Sequence, residues 1–388
     1  MNGNTTNQTN FNNNNATNSP RTYNANAWVD RLATLIHQQQ QNNNNDNNKK
    51  PLKLFIAGDR SQVGKTSICL GLLGALINSG YSPNEIAYIK PATQCEQPQL
   101  ISKYCELKGI ACNGIGPLVF YSGFTRAFLN GETDNTETIL KSIVNAVDEI
   151  SKGKRFVVID GVGYPAVGSI CGCSNAVIAK RLEIPVLLVG KKGVGDAVDS
   201  FNLNASYFES HQVPVLGVVY NRLEKEGYYS LEKCKSAITK YFEQYGGKYN
   251  LYGFLPELKL SEQQSTSKSN NNNNATNGSS INDNKSNIII EKNAQLFIDS
   301  FENNVEFGLL LKSIQNIEDN DNKTNNNNNH NDNIMMMQID SNINNNNDKK
   351  NNNINTAVNG GVQTNFTGKR RTREMIQKEA SGGGATGG

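Results

Sequence analysis

Residues 52–71 read LKLFIAGDRSQVGKTSICLG. The apolar run Leu54-Phe55-Ile56-Ala57 stops at Gly58, a polar turn follows, and Gly64-Lys65-Thr66 opens the helical pattern Ile68, Leu70, Leu72, Leu73. Strand, glycine-bounded loop and helix start, in that order, is the context in which Gly-Lys-Thr reads as a phosphate-binding loop and not as a chance turn. The residue types supply the chemistry. A glycine lets backbone N–H groups approach phosphate oxygens without a Cβ in the way. The helix start adds unpaired N–H groups and a partial positive charge. Lys65 is suited to neutralise the β- and γ-phosphates, each charge-assisted contact contributing roughly 1.5–3 kcal/mol. The Thr66 hydroxyl is suited to ligate Mg²⁺. Ser61, Gln62 and Val63 complete the turn; Gly58 and Gly64 enclose five residues where the common form has four.

A second signal is Arg155-Phe156-Val157-Val158-Ile159-Asp160-Gly161-Val162-Gly163. Its apolar residues in succession predict a strand buried on both faces. A carboxylate at the tip, Asp160, would point at the phosphate loop, the place for an acid near Mg²⁺ or a bound water. Gly161 and Gly163 would let backbone approach the γ-phosphate or a substrate. Further strands are expected at Glu85–Lys90, Ile184–Gly190, Val213–Tyr220 and Leu251–Glu257. Helices are expected from the phosphate loop to about Asn78, over Gln99–Lys108 and Thr136–Lys152, from Ser174 through Leu182, and over Ala197–Gln212 and Leu231–Gly246. Alternation of buried strands with helices predicts an α/β fold of the phosphate-loop NTPase type: a mostly parallel sheet with helices on both faces, binding ligand at the C-terminal strand ends. Lys90 and Asn221-Arg222 fall at such ends. Lys90 would bring a second ammonium to the γ-phosphate. Asn221 offers both a donor and an acceptor, but Asn is also a common turn former.

The segment Gly58-Asp59-Arg60-Ser61-Gln62-Val63-Gly64-Lys65-Thr66 resembles the loop of dethiobiotin synthetases, which also carries five residues between glycines and Val before Gly-Lys-Thr. Related domains occur in cobyrinic acid diamide synthases and at the N-terminus of some phosphotransacetylases. The resemblance runs from about Leu52 to Glu257. It implies ATP and Mg²⁺ as cofactors, with Thr66 and Asp160 as metal ligands, and Lys65, Lys90 and Asp160 as catalytic groups. It implies adenine recognition by Asn221, favouring ATP over GTP, and a nucleotide-ribose loop at Pro256 and Glu257. Lys90, in Lys90-Pro91-Ala92-Thr93-Gln94, matches a lysine that contacts substrate and phosphate. Asp160-Gly161-Val162-Gly163 matches a Glu-Gly-Ala-Gly segment with a shorter acid. Two departures stand out. The family's second acidic metal ligand has only Glu96 near its place, and Gln94 falls where the family has a substrate-site serine. Phe124-Thr125-Arg126 through Gly131 is similar to a segment of the phosphotransacetylase domains; Arg126 would bind an anionic group or cap a local helix. The implied function is Mg-ATP-dependent phosphoryl transfer to a carboxylate or carbamate in a ligase reaction that forms a ring or amide. The alternative is a non-catalytic ATP-binding module or switch. A small-molecule carboxylate or amine is the expected partner, with a homodimer possible in either case.

The 388-residue chain carries Asn-rich tracts at 2–26, 38–49, 264–286 and 316–360. Such tracts bury too little apolar area to offset roughly 1–2 kcal/mol per residue of backbone ordering, so disorder is expected there. The predicted organisation is an arm, 1–50, with a short amphipathic helix at 27–37; a domain, 51–315, with an Asn-rich insertion at 264–286; and a tail, 316–388, with a basic run at 369–373. The segment 287–315, with apolar residues at helical spacing from Ile288 to Leu311, is expected to pack back on the sheet. A net charge of +3 gives no argument for nucleic acid. Seven cysteines without a CxxC pair point to free thiols in a reducing compartment. Cys171-Gly172-Cys173 is too closely spaced for an easy disulfide or a usual zinc knuckle, and His37, His211 and His330 build no triad. No run of about 18 apolar residues predicts a membrane span, so cytoplasm is the expectation.

Overall fold

The computed structural model describes residues 50–94, 97–258 and 279–319, with backbone alone over 279–285. Glu96, the 27–37 helix, the basic run at 369–373 and the tail 320–388 lie outside the described residues.

The apolar run of the first segment becomes β1, Leu52–Gly58. It lies at the middle of a seven-stranded sheet of order β4-β2-β6-β1-β7-β8-β9, where β2 is Ile86–Ile89, β4 Ala111–Asn113, β6 Phe156–Asp160, β7 Val186–Gly190, β8 Val215–Leu223 and β9 Asn250–Pro256. Every pairing is parallel, so successive strands need crossovers. The connecting helices are α1 (Lys65–Asn78), α2 (Leu100–Lys108), α3 (Phe124–Leu129), α4 (Thr136–Ser151), α5 (Asn175–Leu182), α6 (Gly195–Ser210) and α7 (Leu231–Tyr245). Two short strands, β3 (Ala92–Thr93) and β5 (Leu118–Val119), pair in parallel beyond the end of β2.

Side chains alternate across a strand, and the sheet divides its core accordingly. Leu54 and Ile56 of β1 join Phe156 and Val158 of β6 and the apolar residues of α1 on one face. Phe55 and Ala57 join Val157, Ile159 and residues of α4, α5 and α6 on the other. The first face is closed by α8, Ser279–Asn304. Ile290, Ala294, Ile298 and Phe301 of α8 are buried against α1. Two glycines make this approach close. A Cβ at Gly74 would lie 2.2 Å from Ile298 Cγ1, and one at Gly71 2.5 Å from Phe301 Cβ.

Several boundaries differ from expectation. Glu85 belongs to a 3-10 turn, Pro83–Glu85, in which Ser82 and Glu85 form a reciprocal cap. Lys90 lies just past the end of β2. β4 is an additional strand, whose half-exposed edge pattern gives little periodic signal. The helix expected from Ala197 starts at Gly195 and ends at Ser210. Helical backbone starts at Ser279, inside the stretch that composition assigned to the 264–286 insertion. It breaks at Val305-Glu306, where Glu306 N–H donates to Tyr252 O of β9 at 2.7 Å, and resumes over 307–319.

Candidate functional site

Ile86 and Tyr88 of β2 and Lys90 just past it share one parity, as do Phe156, Val158 and Asp160 of β6, and both sets lie on the α1 side of the sheet. Register places Tyr88 beside Val158 and Ile89 beside Ile159, so the last same-face residues, Lys90 and Asp160, meet at the C-terminal edge. Asp160 is fully buried. Its Oδ2 accepts from Thr66 Oγ1 at 2.8 Å, from Tyr88 Oη at 2.9 Å and from Lys90 Nζ at 3.1 Å. Among the described residues Oδ1 has no hydrogen-bond partner. Burial holds the Tyr88 phenol well above its ordinary pKa, and the Asp160 charge adds to this, so Tyr88 is a donor here. Gln99 Oε1 accepts from Lys90 Nζ at 3.3 Å and stands 3.5 Å from Thr66 Oγ1.

The phosphate loop runs from Gly58 over this cluster. Gly58 is tightly enclosed: a Cβ there would lie 2.7 Å from Arg60 O and 2.8 Å from Val63 Cγ2. Ser61 and Gln62 are exposed, and Gln62 holds φ of 64°, an uncommon conformation for a residue other than glycine. Gly64 turns with φ of 90°. Lys65 Nζ donates to Gly163 O at 2.8 Å. Burial lowers the Lys65 pKa; Asp160 opposes that shift and Lys90 adds to it. The loop 161–164 is itself held by Asn175, a fully buried side chain at the start of α5. Its Oδ1 accepts from Val162 N–H at 3.1 Å, and its Nδ2 donates to Val162 O at 2.6 Å and Tyr164 O at 2.8 Å.

Asn221 and Arg222, in β8, lie behind the loop. Asn221 Nδ2 donates to Val63 O at 2.9 Å; a Cβ on Gly64 would come within 2.4 Å of that nitrogen and 3.5 Å of Arg222 Nε. The Asn221 amide thus braces the phosphate loop in this structure. Pro256 ends the neighbouring strand β9 and Glu257 follows it, its N–H donating to Leu223 O at 2.8 Å. Gln94 is exposed beyond β3. Arg126 is exposed on α3, a helix packed on the 3-10 turn Ser169–Cys171. The structure therefore gathers Lys65, Thr66, Lys90, Asp160 and Gly163 in one contact network, with Asn221 and Arg222 against the loop. Tyr88, Gln99 and Asn175 are additions. Strand parity with Lys90 was the signal for Tyr88; Gln99 and Asn175 carry no local signal, because their partners are remote in sequence. No group of three or more His, Cys, Asp or Glu side chains suited to a metal occurs among the described residues, and no described helix is long and apolar enough to cross a membrane.

A family model described as an AAA domain matches residues 52–265, which spans the strands, the phosphate loop and Asp160. The chain belongs to this AAA domain family. Within it the chain is dethiobiotin synthetase-like. It is 27% identical over 172 residues to an ATP-dependent dethiobiotin synthetase of Aquifex aeolicus, covering 44% of this chain and 76% of that protein. It is 26% identical over 181 residues to one of Anaeromyxobacter dehalogenans, covering 45% and 78%. A plasmid partition protein from Borrelia burgdorferi is similar in structure with a TM-score of 0.34 and 15% identity, covering 54% of this chain and 91% of that one. This AAA domain protein is accordingly a phosphate-loop ATPase of the dethiobiotin synthetase type.

Proposed function

We propose that this chain binds Mg-ATP and transfers the γ-phosphoryl group to a carboxylate or carbamate oxygen of a small molecule, as the activating step of a ligase reaction. The observation that carries the reading is the convergence of Thr66, Lys90 and Asp160 beneath the phosphate loop. The residues fit a magnesium ion. Asp160 keeps one buried oxygen without a hydrogen-bond donor among the described residues, and the Thr66 hydroxyl adjoins the other. Mg²⁺ commonly takes only one or two carboxylates, with phosphates and waters completing its shell. Thr66 and Asp160 would hold it, and its charge would offset that of the phosphate oxygens.

The chain's own groups do the rest. Backbone N–H groups from Gly58 to Thr66 cradle the phosphates. Lys65 exchanges the Gly163 carbonyl for phosphate oxygens, and Lys90 steadies the group in flight and the acceptor oxygen. The acceptor attacks phosphorus, the bond to the ADP oxygen breaks, and an acyl or carbamoyl phosphate and ADP result. Gln94, Arg126, Gly161 and Gly163 are the proposed substrate contacts. Asn221, Arg222, Pro256 and Glu257 are assigned to the base and ribose, with the Asn221 amide shared between base and loop.

One observation favours a binding switch without turnover: Gln99, a neutral amide, stands beside Thr66 and Lys90. Assay of ADP release with ATP, Mg²⁺, bicarbonate and diaminopelargonate, then with a panel of other carboxylates and amines, separates the two readings. Release that depends on one acceptor supports the ligase. Tight ATP binding without release across the panel supports the switch.

A further inference from the structure

The ammonium of Lys90 sits among three oxygens of different kinds: Asp160 Oδ2 at 3.1 Å, Gln99 Oε1 at 3.3 Å and Thr66 Oγ1 at 3.4 Å. The oxygens are close to one another, 2.8 Å from Thr66 to Asp160 and 3.5 Å from Thr66 to Gln99. Carboxylate, hydroxyl and amide carbonyl is a donor set for a hard cation. Lys90 is almost wholly sequestered, with 9% of its side chain exposed against none for Asp160. From these distances we infer that Lys90 is a tethered cation that fills an oxygen cage formed by Thr66, Gln99 and Asp160, and that it must leave before a divalent ion can enter.

The charges give the reason. Among these cage residues Asp160 is the single carboxylate, and the Lys90 ammonium already neutralises it. Lys65, next to Thr66 in the chain, holds a second ammonium at Gly163 O, on the loop that follows Asp160. A divalent ion brought up to an ammonium already paired with the Asp160 carboxylate is unfavourable. A triphosphate changes the balance, because its oxygens give both lysines another partner. Metal therefore enters with nucleotide or after it, and metal alone binds weakly. Gln99 acquires a role under this inference: its neutral oxygen completes a cage whose resident cation is monovalent. The dependence on nucleotide rests on the function proposed above, whereas the cage rests on the distances alone.

The test uses Mn²⁺ as the probe on the nucleotide-free full chain, with free ion counted by electron paramagnetic resonance. Lys90→Met and Lys90→Gln should each bind Mn²⁺ at least tenfold more tightly than the unaltered chain, and Mn²⁺ should raise their melting temperatures and not that of the unaltered chain. Adding Asp160→Asn should erase the gain. Lys90→Gln keeps a polar, hydrogen-bonding side chain and serves if Lys90→Met does not fold. A further measurement covers the case where neither variant folds. On the unaltered chain, a non-hydrolysable ATP analogue should raise Mn²⁺ affinity at least tenfold. Affinities of variants and unaltered chain within twofold of each other, a gain that survives Asp160→Asn, or tight Mn²⁺ binding by the unaltered chain without nucleotide would overturn the inference. If Lys90→Gln gains Mn²⁺ while no form binds the ATP analogue, the cage stands and the proposed function falls.

Discussion

Thr66 and Asp160 lie 94 positions apart in sequence, yet the Thr66 hydroxyl donates to Asp160 Oδ2 at 2.8 Å. This contact ties the first turn of α1 to the tip of β6 and so joins the phosphate loop to the buried carboxylate of Asp160. Thr66→Ala should lower affinity for an ATP analogue in the presence of Mg²⁺ by tenfold or more and leave the metal-free affinity within about threefold. Lys65→Ala should abolish both. Calorimetric titration with and without Mg²⁺ checks this; equal losses for Thr66→Ala in the two conditions would remove Thr66 from the metal site. Hydrogen bonds to charged groups are worth about 1.5–3 kcal/mol, so some loss of fold stability should accompany the change.

Gly74→Ala tests the seat of α8. The added methyl would meet Ile298 at 2.2 Å, which forces a shift in a filled core. Over-packing of this kind costs about 1–3 kcal/mol. Chemical denaturation should show that loss, and Gly74→Ala with Ile298→Ala should cost less than the sum of the two single changes, as expected for residues in contact.

Asp59 should limit stability at neutral pH. It is buried, and Oδ1 lacks a hydrogen-bond partner among the described residues. Burial raises its pKa above the ordinary 3.8, although the Lys191 backbone N–H, at 3.1 Å from Oδ2, partly opposes this. The folded chain therefore holds a proton at pH values where the unfolded chain has lost it. Stability falls as pH rises through that window. Asp59→Asn should match the unaltered chain below the ordinary carboxylate pKa and exceed it in melting temperature above the raised value. A difference that is constant across pH would contradict this.

Cys112 should be the first of the six described cysteines to react. It is exposed, whereas Cys69, Cys105, Cys171, Cys173 and Cys234 are buried. A hydrogen bond from the Cys105 thiol lowers its pKa to about 7 from the ordinary 9.0. Since the thiolate is the nucleophile, its alkylation rate should fall roughly fivefold between pH 7 and pH 6. Mass mapping after brief iodoacetamide treatment gives the order and the pH dependence.

What could be read in advance follows the range of the interactions. The phosphate loop is local: Gly58, Gly64, Lys65 and Thr66 lie within nine consecutive residues whose neighbours are a buried strand and a helix start. Asp160 was legible because a run of apolar residues ending in an acid is unusual in a buried strand. Sheet order was not legible, and it is sheet order that sets β6 beside both β1 and β2 and brings Tyr88 to Asp160. Asn175 looked like an ordinary residue after a helix cap; its function as a clamp on Val162 and Tyr164 depends on a turn that places α5 under the 161–164 loop. The Asn221 amide at Val63 O depends in the same way on the fold of β8 behind the loop.

The packing of α8 on Gly71 and Gly74 bears on biosynthesis. The helix that begins with Lys65 and Thr66 leaves the ribosome before the helix that covers it, which emerges more than 200 residues later. Until then the apolar strip of α1 around Gly71 and Gly74 has only water or a chaperone to lie against. A nascent chain halted at residue 265, where the family match stops, would hold all seven described strands of the sheet and still leave α1 without α8.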